Sequence, residues 1–187
     1  MRTFVAIELN EACREGLLKA IEAIRPVARG VRWVKAQSLH LTLKFIGSLD
    51  EADLPQAIEC LQRATAEAGP FAMTVSGLSG FPPKGTPRVI HVGVQEPTGT
   101  LVALQRRVDA ALKEALDIPK EKREYVSHVT LGRVKDRRAC PSMGELSAAV
   151  ADQRFGEVSV DSMVLMKSDL RPDGAVYSVE HRFLLGE

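Results

Sequence analysis

A short motif of the form His-x-Thr-x occurs twice, at residues 40–43 (His-Leu-Thr-Leu) and, 88 residues later, at residues 128–131 (His-Val-Thr-Leu). If each copy is a strand, its two-residue period puts the histidine and threonine on one face and the aliphatic pair on the other. The aliphatic face can then be buried while imidazole and hydroxyl line a cleft. The chain has only four histidines, and two share this setting, each ahead of a basic residue, Lys44 or Arg133. We therefore expect one site built from two halves.

Two histidines can perform a displacement at phosphorus, because the ordinary pKa of imidazole lets one copy act as base and the other as acid near neutral pH. Thr42 and Thr130 would reach the same centre and, with a guanidinium, hold the non-bridging oxygens where charge accumulates. Arg133 is the candidate guanidinium. Strict alternation from His128 would send it to the opposite face, so it joins the site only if Gly132 forms a bulge or the strand ends there. We expect it in the site.

Composition limits what can surround such a site. With 187 residues, 45% hydrophobic and 26% charged, the chain can bury a core as one globular domain or two small lobes. A net charge of +1 gives no overall field for nucleic acid, so an anionic ligand must be held by a local cluster. Three widely spaced cysteines without a Cys-x-x-Cys predict neither a disulfide framework nor a zinc site. No apolar run is long enough for a signal peptide or membrane span, and we expect a soluble, cytoplasmic monomer.

Other candidate motifs do not support a cofactor or a metal. Residues 80–86 have the outer spacing of a phosphate-binding loop, but no lysine follows the second glycine and two prolines remove amide donors. No Gly-x-Gly-x-x-Gly is present. His91 and His181 lack Asp, Glu or Cys at ligand spacing, which favours structural roles over metal binding. Trp33 could stack a base, although a half-buried strand aromatic is the more ordinary interpretation.

The pattern of apolar residues and breakers predicts alternating strands and helices. The predicted strands cover residues 3–9, 31–34, 40–47, 71–78, 88–94, 157–167 and 175–185, together with one starting at residue 128. The predicted helices cover residues 10–25, 98–116 and 143–151, together with one from residue 50 or 53 to about residue 69. The sequence Arg-Pro-Asp-Gly at residues 171–174 indicates a turn between the last two strands. This order predicts an α+β fold with antiparallel sheets.

No linker divides the chain, so we expect residues 1–187 to form a single domain. Because each half contains one His-x-Thr-x motif, we expect two lobes that face each other across a central cleft, with residues 40–43 in one and residues 128–131 in the other.

The motifs resemble those of the two-histidine (2H) phosphoesterases, and within them the bacterial and archaeal RNA 2',3'-cyclic phosphodiesterases, also called 2'-5' RNA ligases. The resemblance covers nearly the whole chain and includes residues 2–9, 31–34, 40–47, 77–82, 87–89 and 128–135. Two positions depart from that pattern. Ser127 stands where many relatives have proline, which we expect to loosen the entry to the second motif strand, and His91 stands where a tryptophan is expected.

The resemblance implies that His40 is the proton donor and His128 the proton acceptor. It makes Thr42 and Thr130 ligands of the substrate phosphate, with Arg133 as a supporting contact. It also implies pseudo-symmetric lobes, each an antiparallel sheet with helices outside, and no metal or cofactor. The expected reaction is hydrolysis of a terminal RNA 2',3'-cyclic phosphate to a 2'-phosphomonoester, with 2'-5' ligation as a related activity. The expected partners are RNA ends of this kind or small cyclic nucleotides.

A second hypothesis is a non-catalytic module that binds RNA ends or nucleotide phosphates in the same cleft. The duplicated histidines argue against it, because lysine or arginine would hold phosphate better at pH 7. Both hypotheses leave open the role of a basic cluster. It could bind along an RNA backbone, or it could be a solvated loop without a ligand. Its members are Lys120, Lys122, Arg123, Arg133, Lys135, Arg137 and Arg138.

Overall fold

The computed structural model describes residues 1–171 and 174–186, and within these ranges the chain forms nine strands and four α-helices. The strands are β1 (Arg2–Glu8), β2 (Val31–Trp33), β3 (His40–Ser48), β4 (Phe71–Phe81), β5 (Val89–Gln95), β6 (His128–Val134), β7 (Arg154–Val160), β8 (Ser162–Arg171) and β9 (Gly174–Leu184). The helices are α1 (Glu11–Ile24), α2 (Leu54–Ala66), α3 (Thr100–Leu116) and α4 (Met143–Ala148). Pro172 and Asp173, at the centre of the turn predicted between the last two strands, lie outside the described residues.

The sequence-predicted start of the first helix is confirmed. The Asn10 side chain accepts a hydrogen bond from the Cys13 N–H at 2.9 Å, which satisfies one of the free amides at the helix start. The buried residues of α1 recur every three or four positions, from Cys13 to Ile24, and form the stripe that packs on β7. Helix α4 begins with a capping box between Ser142 and Glu145 and ends at Ala148, three residues earlier than predicted.

Every hydrogen-bonded pair of strands is antiparallel, in the order β7-β4-β5-β6-β3-β1-β8-β9, with β2 alongside β6. The predicted α+β class is confirmed. The two halves of the sheet are not separate, because one residue pair, Leu41 with Val129, joins β3 to β6. The first His-x-Thr-x motif opens β3 and the second opens β6, so the motifs meet where the halves join.

The prediction of one strand over residues 157–167 is wrong. Asp161 separates β7, at one end of the strand order, from β8, which pairs with β1 near the other end. A single intervening residue can connect strands so distant in the order only because the sheet curls until its ends approach. Residues 157–167 carry no glycine or proline to mark the break, and their apolar pattern does not reveal which partner strand each part takes.

The main hydrophobic core lies between the sheet and the helices and includes the aliphatic residues of both motifs. A smaller apolar cluster lies on the opposite face of β1 and β8, formed by Phe4, Ala6, Val164 and Met166 with Tyr177 packed against it. The faces therefore differ: one meets the helices, and the other supports the cleft. Among the described residues, no helix is long and apolar enough to cross a membrane.

Candidate active site

A cleft of about 820 Å³ lies over the junction of β3 and β6. All five residues that the sequence singled out line it: His40, Thr42, His128, Thr130 and Arg133. Since residues 40–42 and residues 128–133 belong to different halves of the sheet, tertiary structure brings two distant segments of the chain to one place.

The junction brings the two motifs together at one residue pair. Leu41 lies opposite Val129, and each is the second residue of its motif. Both belong to the main core, while the histidine and threonine of each motif line the cleft. The cleft therefore carries an imidazole and a hydroxyl from each of the two strands.

Both motif strands contain a bulge at the same motif position. In β3, Lys44 pairs with Val5 and Thr42 pairs with Ala6, which leaves Leu43 without a partner on β1. The same irregularity occurs in β6 against β5, where the ladder omits Leu131, the fourth residue of the second motif. A bulge reverses the faces of the residues that follow it. In both strands, the residue after the bulge is therefore buried and the next one is exposed.

This reversal places Arg133 in the cleft. We expected Arg133 to join the site only if the strand bulged at Gly132 or ended there. A bulge is present, but its extra residue is Leu131. In the first motif the exposed position that corresponds to Arg133 is Phe45, and Lys44 turns inward. Lys44 and Arg133, although each follows a motif histidine, therefore take different positions. Alternation without the bulge would have kept Lys44 on the side of the histidine.

Lys44 is instead part of a buried ion pair that holds the cleft wall. Its side chain is 2% exposed, and Nζ lies 2.6 Å from Asp109 Oδ1 on α3. Nζ also donates a hydrogen bond to the Pro119 carbonyl at 2.6 Å. The segment between α3 and β6 is tied to β3 a second time, because the Tyr125 hydroxyl donates to the Thr42 carbonyl at 3.0 Å. Two contacts therefore fix this segment against the strand that carries His40.

Gly132 is required by the close approach of β2. A Cβ atom at this position would lie 2.7 Å from Val31 Cγ1 and 2.9 Å from Trp33 Cε3. Trp33 is half-buried against the main core, with the Arg25 guanidinium 5.8 Å from its ring centroid, and it does not line the cleft. The interpretation of Trp33 as a strand aromatic is confirmed.

The surroundings of His128 determine which of its nitrogens can accept a proton. Nδ1 lies 2.7 Å from the Val126 carbonyl oxygen. A carbonyl only accepts hydrogen bonds, so this contact assigns the proton of the neutral ring to Nδ1 and leaves the lone pair on Nε2. The ring also meets the edge of Phe81 at 5.1 Å between centroids. His128 therefore has the tautomer of a general base.

His40 lies in a more apolar setting. Its ring stacks on Phe4 at 4.8 Å and meets Tyr177 edge-on at 5.4 Å. Burial lowers the pKa of His40 to about 4, with the backbone of Ser38 opposing the shift in part. Its Nδ1 is buried and has no hydrogen-bond partner within residues 1–171 and 174–186. The free protein thus holds this imidazole neutral at pH 7.

His91 is the histidine whose place the sequence did not reveal. It is 5% exposed on β5, pairs with Thr130 in the ladder and lies 5.0 Å from the His128 ring. Neither of its ring nitrogens has a hydrogen-bond partner in the described part of the chain. Burial, followed by the charge of His128, lowers its pKa to about 4. His91 is therefore a neutral neighbour of the His128 ring.

Ser127 differs from the sequence expectation, and three residues of the basic cluster line the cleft. The Ser127 hydroxyl donates to the Val94 carbonyl at 2.9 Å, and the Val94 N–H donates back to the Ser127 carbonyl at 3.1 Å. These bonds hold the entry to β6 that we expected to be loose.

Of the seven clustered basic residues, Arg123, Arg133 and Arg137 line the cleft, and Arg88, which is not part of that cluster, also lines it.

The described residues contain no group of three or more His, Cys, Asp or Glu side chains placed to hold a metal ion. The cleft lining offers the imidazoles of His40 and His128, the hydroxyls of Thr42 and Thr130 and several guanidinium groups, and it also includes two carboxylates, Glu121 and Glu124. Such a set can move protons at a bound anion and neutralise its charge.

Comparison with known proteins finds relatives of similar sequence and fold. The chain is 34% identical over 177 residues to the RNA 2',3'-cyclic phosphodiesterase of Archaeoglobus fulgidus, covering 95% of this chain and 96% of that one. It is 35% identical over 179 residues to the Thermotoga maritima protein of the same name, covering 96% and 92%. The crystal structure of a Thermus thermophilus protein matches with a TM-score of 0.82 and 31% identity, covering 100% and 98%.

Escherichia coli LigT, in its complex with 3'-AMP, shares the fold with a TM-score of 0.80 at 21% identity, covering 100% of this chain and 98% of that one. The family model of the 2'-5' RNA ligase superfamily matches residues 13–172, a range that includes both motifs. The chain therefore belongs to the 2'-5' RNA ligase superfamily of two-histidine phosphoesterases.

Proposed function

We propose that this protein is an RNA 2',3'-cyclic phosphodiesterase that opens a terminal cyclic phosphate to a 2'-phosphomonoester without a metal ion. The observation that supports this best is the pairing of the two His-x-Thr motifs across the β3–β6 junction in one cleft. Relatives of similar length with the name RNA 2',3'-cyclic phosphodiesterase support the same substrate.

In the proposed reaction a water molecule attacks phosphorus while His128 Nε2 accepts its proton. The new P–O bond forms as the P–O3' bond breaks, and His40 transfers a proton to the departing O3' oxygen. The products are a 2'-phosphate and a free 3'-hydroxyl. The Val126 carbonyl supports this role for His128, because it keeps Nδ1 protonated and Nε2 free.

The low pKa of His40 gives the substrate a part in charging the acid. A neutral imidazole cannot donate to O3', so His40 must gain a proton when the cyclic phosphate binds. The phosphate is an anion, and an opposite charge within about 4–6 Å favours the protonated ring. Substrate binding and proton uptake at His40 are then linked.

Thr42, Thr130 and Arg133 would hold the non-bridging oxygens. The two hydroxyls line the same cleft as both histidines, and the exposed guanidinium of Arg133 lines it from β6. Negative charge on these oxygens grows as water attacks, so groups placed there stabilise the transition state more than the substrate.

Position decides which ester bond breaks, because in-line attack expels the oxygen opposite the incoming water. With His40 at O3', hydrolysis leaves a 2'-phosphate. The same acid and base would join a cyclic end to an RNA 5'-hydroxyl through a 2'-5' bond, if the hydroxyl takes the place of water.

The test is product analysis with a short RNA that ends in a 2',3'-cyclic phosphate. We expect a terminal monophosphate that resists an enzyme specific for 3'-phosphates. Quantitative release of phosphate would place the acid on the other side of the ribose. Binding of the RNA without turnover would favour a non-catalytic module.

A further inference from the structure

Three arginines lie side by side where β6 passes between β2 and β5. Arg32 on β2 pairs directly with Arg133 on β6, and Val89 on β5 pairs with Arg133 from the other side. Arg88 directly precedes Val89, and its carbonyl accepts a hydrogen bond from the Val134 N–H at 2.9 Å. All three arginines are exposed. They form a basic row across three neighbouring strands.

The basic row lies on the cleft side of the sheet. Arg88 and Arg133 line the cleft. Val31 and Trp33, the neighbours of Arg32 on β2, pack against the main core, so strand alternation turns Arg32 to the opposite face. Arg32 is not part of the cleft lining and therefore extends the basic row beyond the cleft.

The arginines of the basic row have no ion-pair partner within residues 1–171 and 174–186. No carboxylate of these residues lies within 4.0 Å of the guanidinium nitrogens of Arg32, Arg88 or Arg133. Like charges directly opposite each other in an antiparallel ladder destabilise the pairing, and Arg32 and Arg133 stand in that relation. A bound anion would remove this repulsion, so the basic row fits a negatively charged ligand.

The charge of the cleft lining changes from one end of β6 to the other. The segment before β6 contributes Glu121 and Glu124 to the lining, together with Arg123. The basic row lies near the opposite end of β6, and Arg137 lines the cleft beyond it. A polyanion that leaves the site between the motifs is therefore repelled by the carboxylates at the first end and attracted by the arginines at the second.

From the basic row and this difference in charge, we infer that Arg32 and Arg88, on either side of Arg133, bind the phosphate on the 5' side of the terminal nucleotide. The inference rests on the proposed function, in which the cyclic phosphate lies between the motifs and Arg133 contacts it. The rest of an RNA chain lies on the 5' side of that phosphate, so the basic row receives the next anion along the chain. The ligand is therefore an RNA end with at least one further phosphate, and the protein should bind it more tightly than a cyclic mononucleotide with a 5'-hydroxyl.

The experiment compares two substrates that differ in one group. One is a nucleoside 2',3'-cyclic phosphate with a 5'-hydroxyl, and the other is the same compound with a 5'-phosphate. In Arg32→Gln, KM for the 5'-phosphorylated substrate should rise roughly 2- to 5-fold, which is the effect of losing one exposed ion pair. Its kcat, and both constants for the 5'-hydroxyl substrate, should stay nearly unchanged. Arg88→Gln should likewise raise KM for the phosphorylated substrate more than KM for the other.

Arg106→Gln provides a matched control, because Arg106 is an exposed arginine on α3 and does not line the cleft. It should leave the ratio of the two KM values unchanged. Equal KM values for the two substrates in the unsubstituted protein would overturn the proposal. An unchanged ratio in either Arg32→Gln or Arg88→Gln would also overturn it, because the 5'-phosphate would then lie away from the basic row.

A binding measurement separates this inference from the proposed function. Calorimetry with a nucleoside 2'-phosphate and with the corresponding 2',5'-bisphosphate needs no turnover. Weakened binding of the bisphosphate alone in Arg32→Gln supports the phosphate site even if the protein hydrolyses neither substrate. Equal weakening of both ligands, or of neither, contradicts it.

Discussion

At the scale of single residues, the two catalytic candidates have the same side chain and different environments. His128 is oriented by the Val126 carbonyl, while His40 lies against Phe4 and Tyr177 with its pKa lowered by burial. Two identical groups can take opposite roles only if their surroundings distinguish them. In the proposed mechanism, Nε2 of His128 accepts a proton, and the His40 ring gains its charge when the substrate binds.

Replacement of either histidine by alanine should lower turnover of a cyclic nucleotide by roughly 10²- to 10⁴-fold, because each removes a proton-transfer group. His181→Ala is the matched control, since His181 lies on β9 outside the cleft lining, and it should keep normal turnover. Thermal melting curves check that the fold is intact. Near-normal activity in His40→Ala or His128→Ala with an unchanged melting curve would refute the two-histidine mechanism.

The pH dependence of turnover should show where His40 gains its proton. The profile of kcat/KM reports the free protein, in which the pKa of His40 is about 4, whereas kcat reports the substrate complex. An anionic substrate favours the charged His40 ring and so raises its pKa in the complex. We therefore expect the decrease in rate caused by deprotonation of His40 to occur at higher pH in the kcat profile than in the kcat/KM profile. Coincident limbs in steady-state profiles from pH 4 to 9 would argue against proton uptake at His40.

At the scale of elements, the wall of the cleft depends on a contact between strand and helix. Lys44 turns into the core after the β3 bulge and pairs with Asp109 of α3, at side-chain exposures of 2% and 12%. Removing one partner of a buried ion pair leaves the other charge uncompensated, whereas removing both is tolerated better. This pair should therefore behave as a unit.

Lys44→Met should lower the free energy of unfolding by about 3–5 kcal/mol, because Asp109 would remain buried without its partner. Lys44→Met combined with Asp109→Asn should cost clearly less than the sum of the single changes. Urea titrations of the four proteins measure the coupling. Arg63→Met is the control, since it removes the exposed pair with Glu59 and should cost less than about 1 kcal/mol. Additive losses at Lys44 and Asp109 would show that the two charges act independently.

At the scale of the whole molecule, two histidines with a lowered pKa make stability depend on pH. Both His40 and His91 have a pKa lowered to about 4, below the ordinary value near 6.5 that the unfolded chain regains. Between these values the unfolded state binds more protons, so the free energy of unfolding falls as pH decreases from about 6.5 to 4. Above about pH 7 both groups are neutral in the folded and the unfolded state, so they do not make the free energy of unfolding depend on pH.

His91→Phe should remove part of this dependence, because phenylalanine fills the site beside Phe81 and cannot be protonated. We expect the loss of stability between pH 7 and 4 to shrink by up to about 3 kcal/mol relative to the unsubstituted protein. Denaturant titrations at several pH values give the two curves. Parallel curves would mean that His91 does not titrate differently in the folded and unfolded states.

Exhaustive chelation with EDTA should leave turnover unchanged, because the proposed chemistry uses imidazoles, hydroxyls and a guanidinium, and the described residues offer no metal-ligand cluster. The assay is hydrolysis of a cyclic nucleotide before and after chelation. Loss of activity that one divalent ion restores would contradict the proposal.

Much of the site could be predicted from sequence because its determinants are local. The alternation of polar and apolar residues within residues 40–43 and 128–131 is enough to place each histidine beside its threonine on one strand face. The first helix follows from Asn10 and the apolar stripe behind it. The duplication itself pointed to a single cleft, and the antiparallel α+β class followed from the order of the elements.

Other features depend on which strands pair, and only the tertiary structure decided them. The bulges at Leu43 and Leu131 are defined by the pairing of β3 with β1 and of β6 with β5. The alternation of residues along one strand therefore could not predict that Lys44 is buried and Phe45 exposed. The contact of His91 with His128 needs β5 beside β6. The break at Asp161 likewise depends on a curled sheet whose ends approach. Local periodicity determines the face of a side chain along a regular strand, whereas register, bulges and strand order are set by contacts between distant parts of the chain.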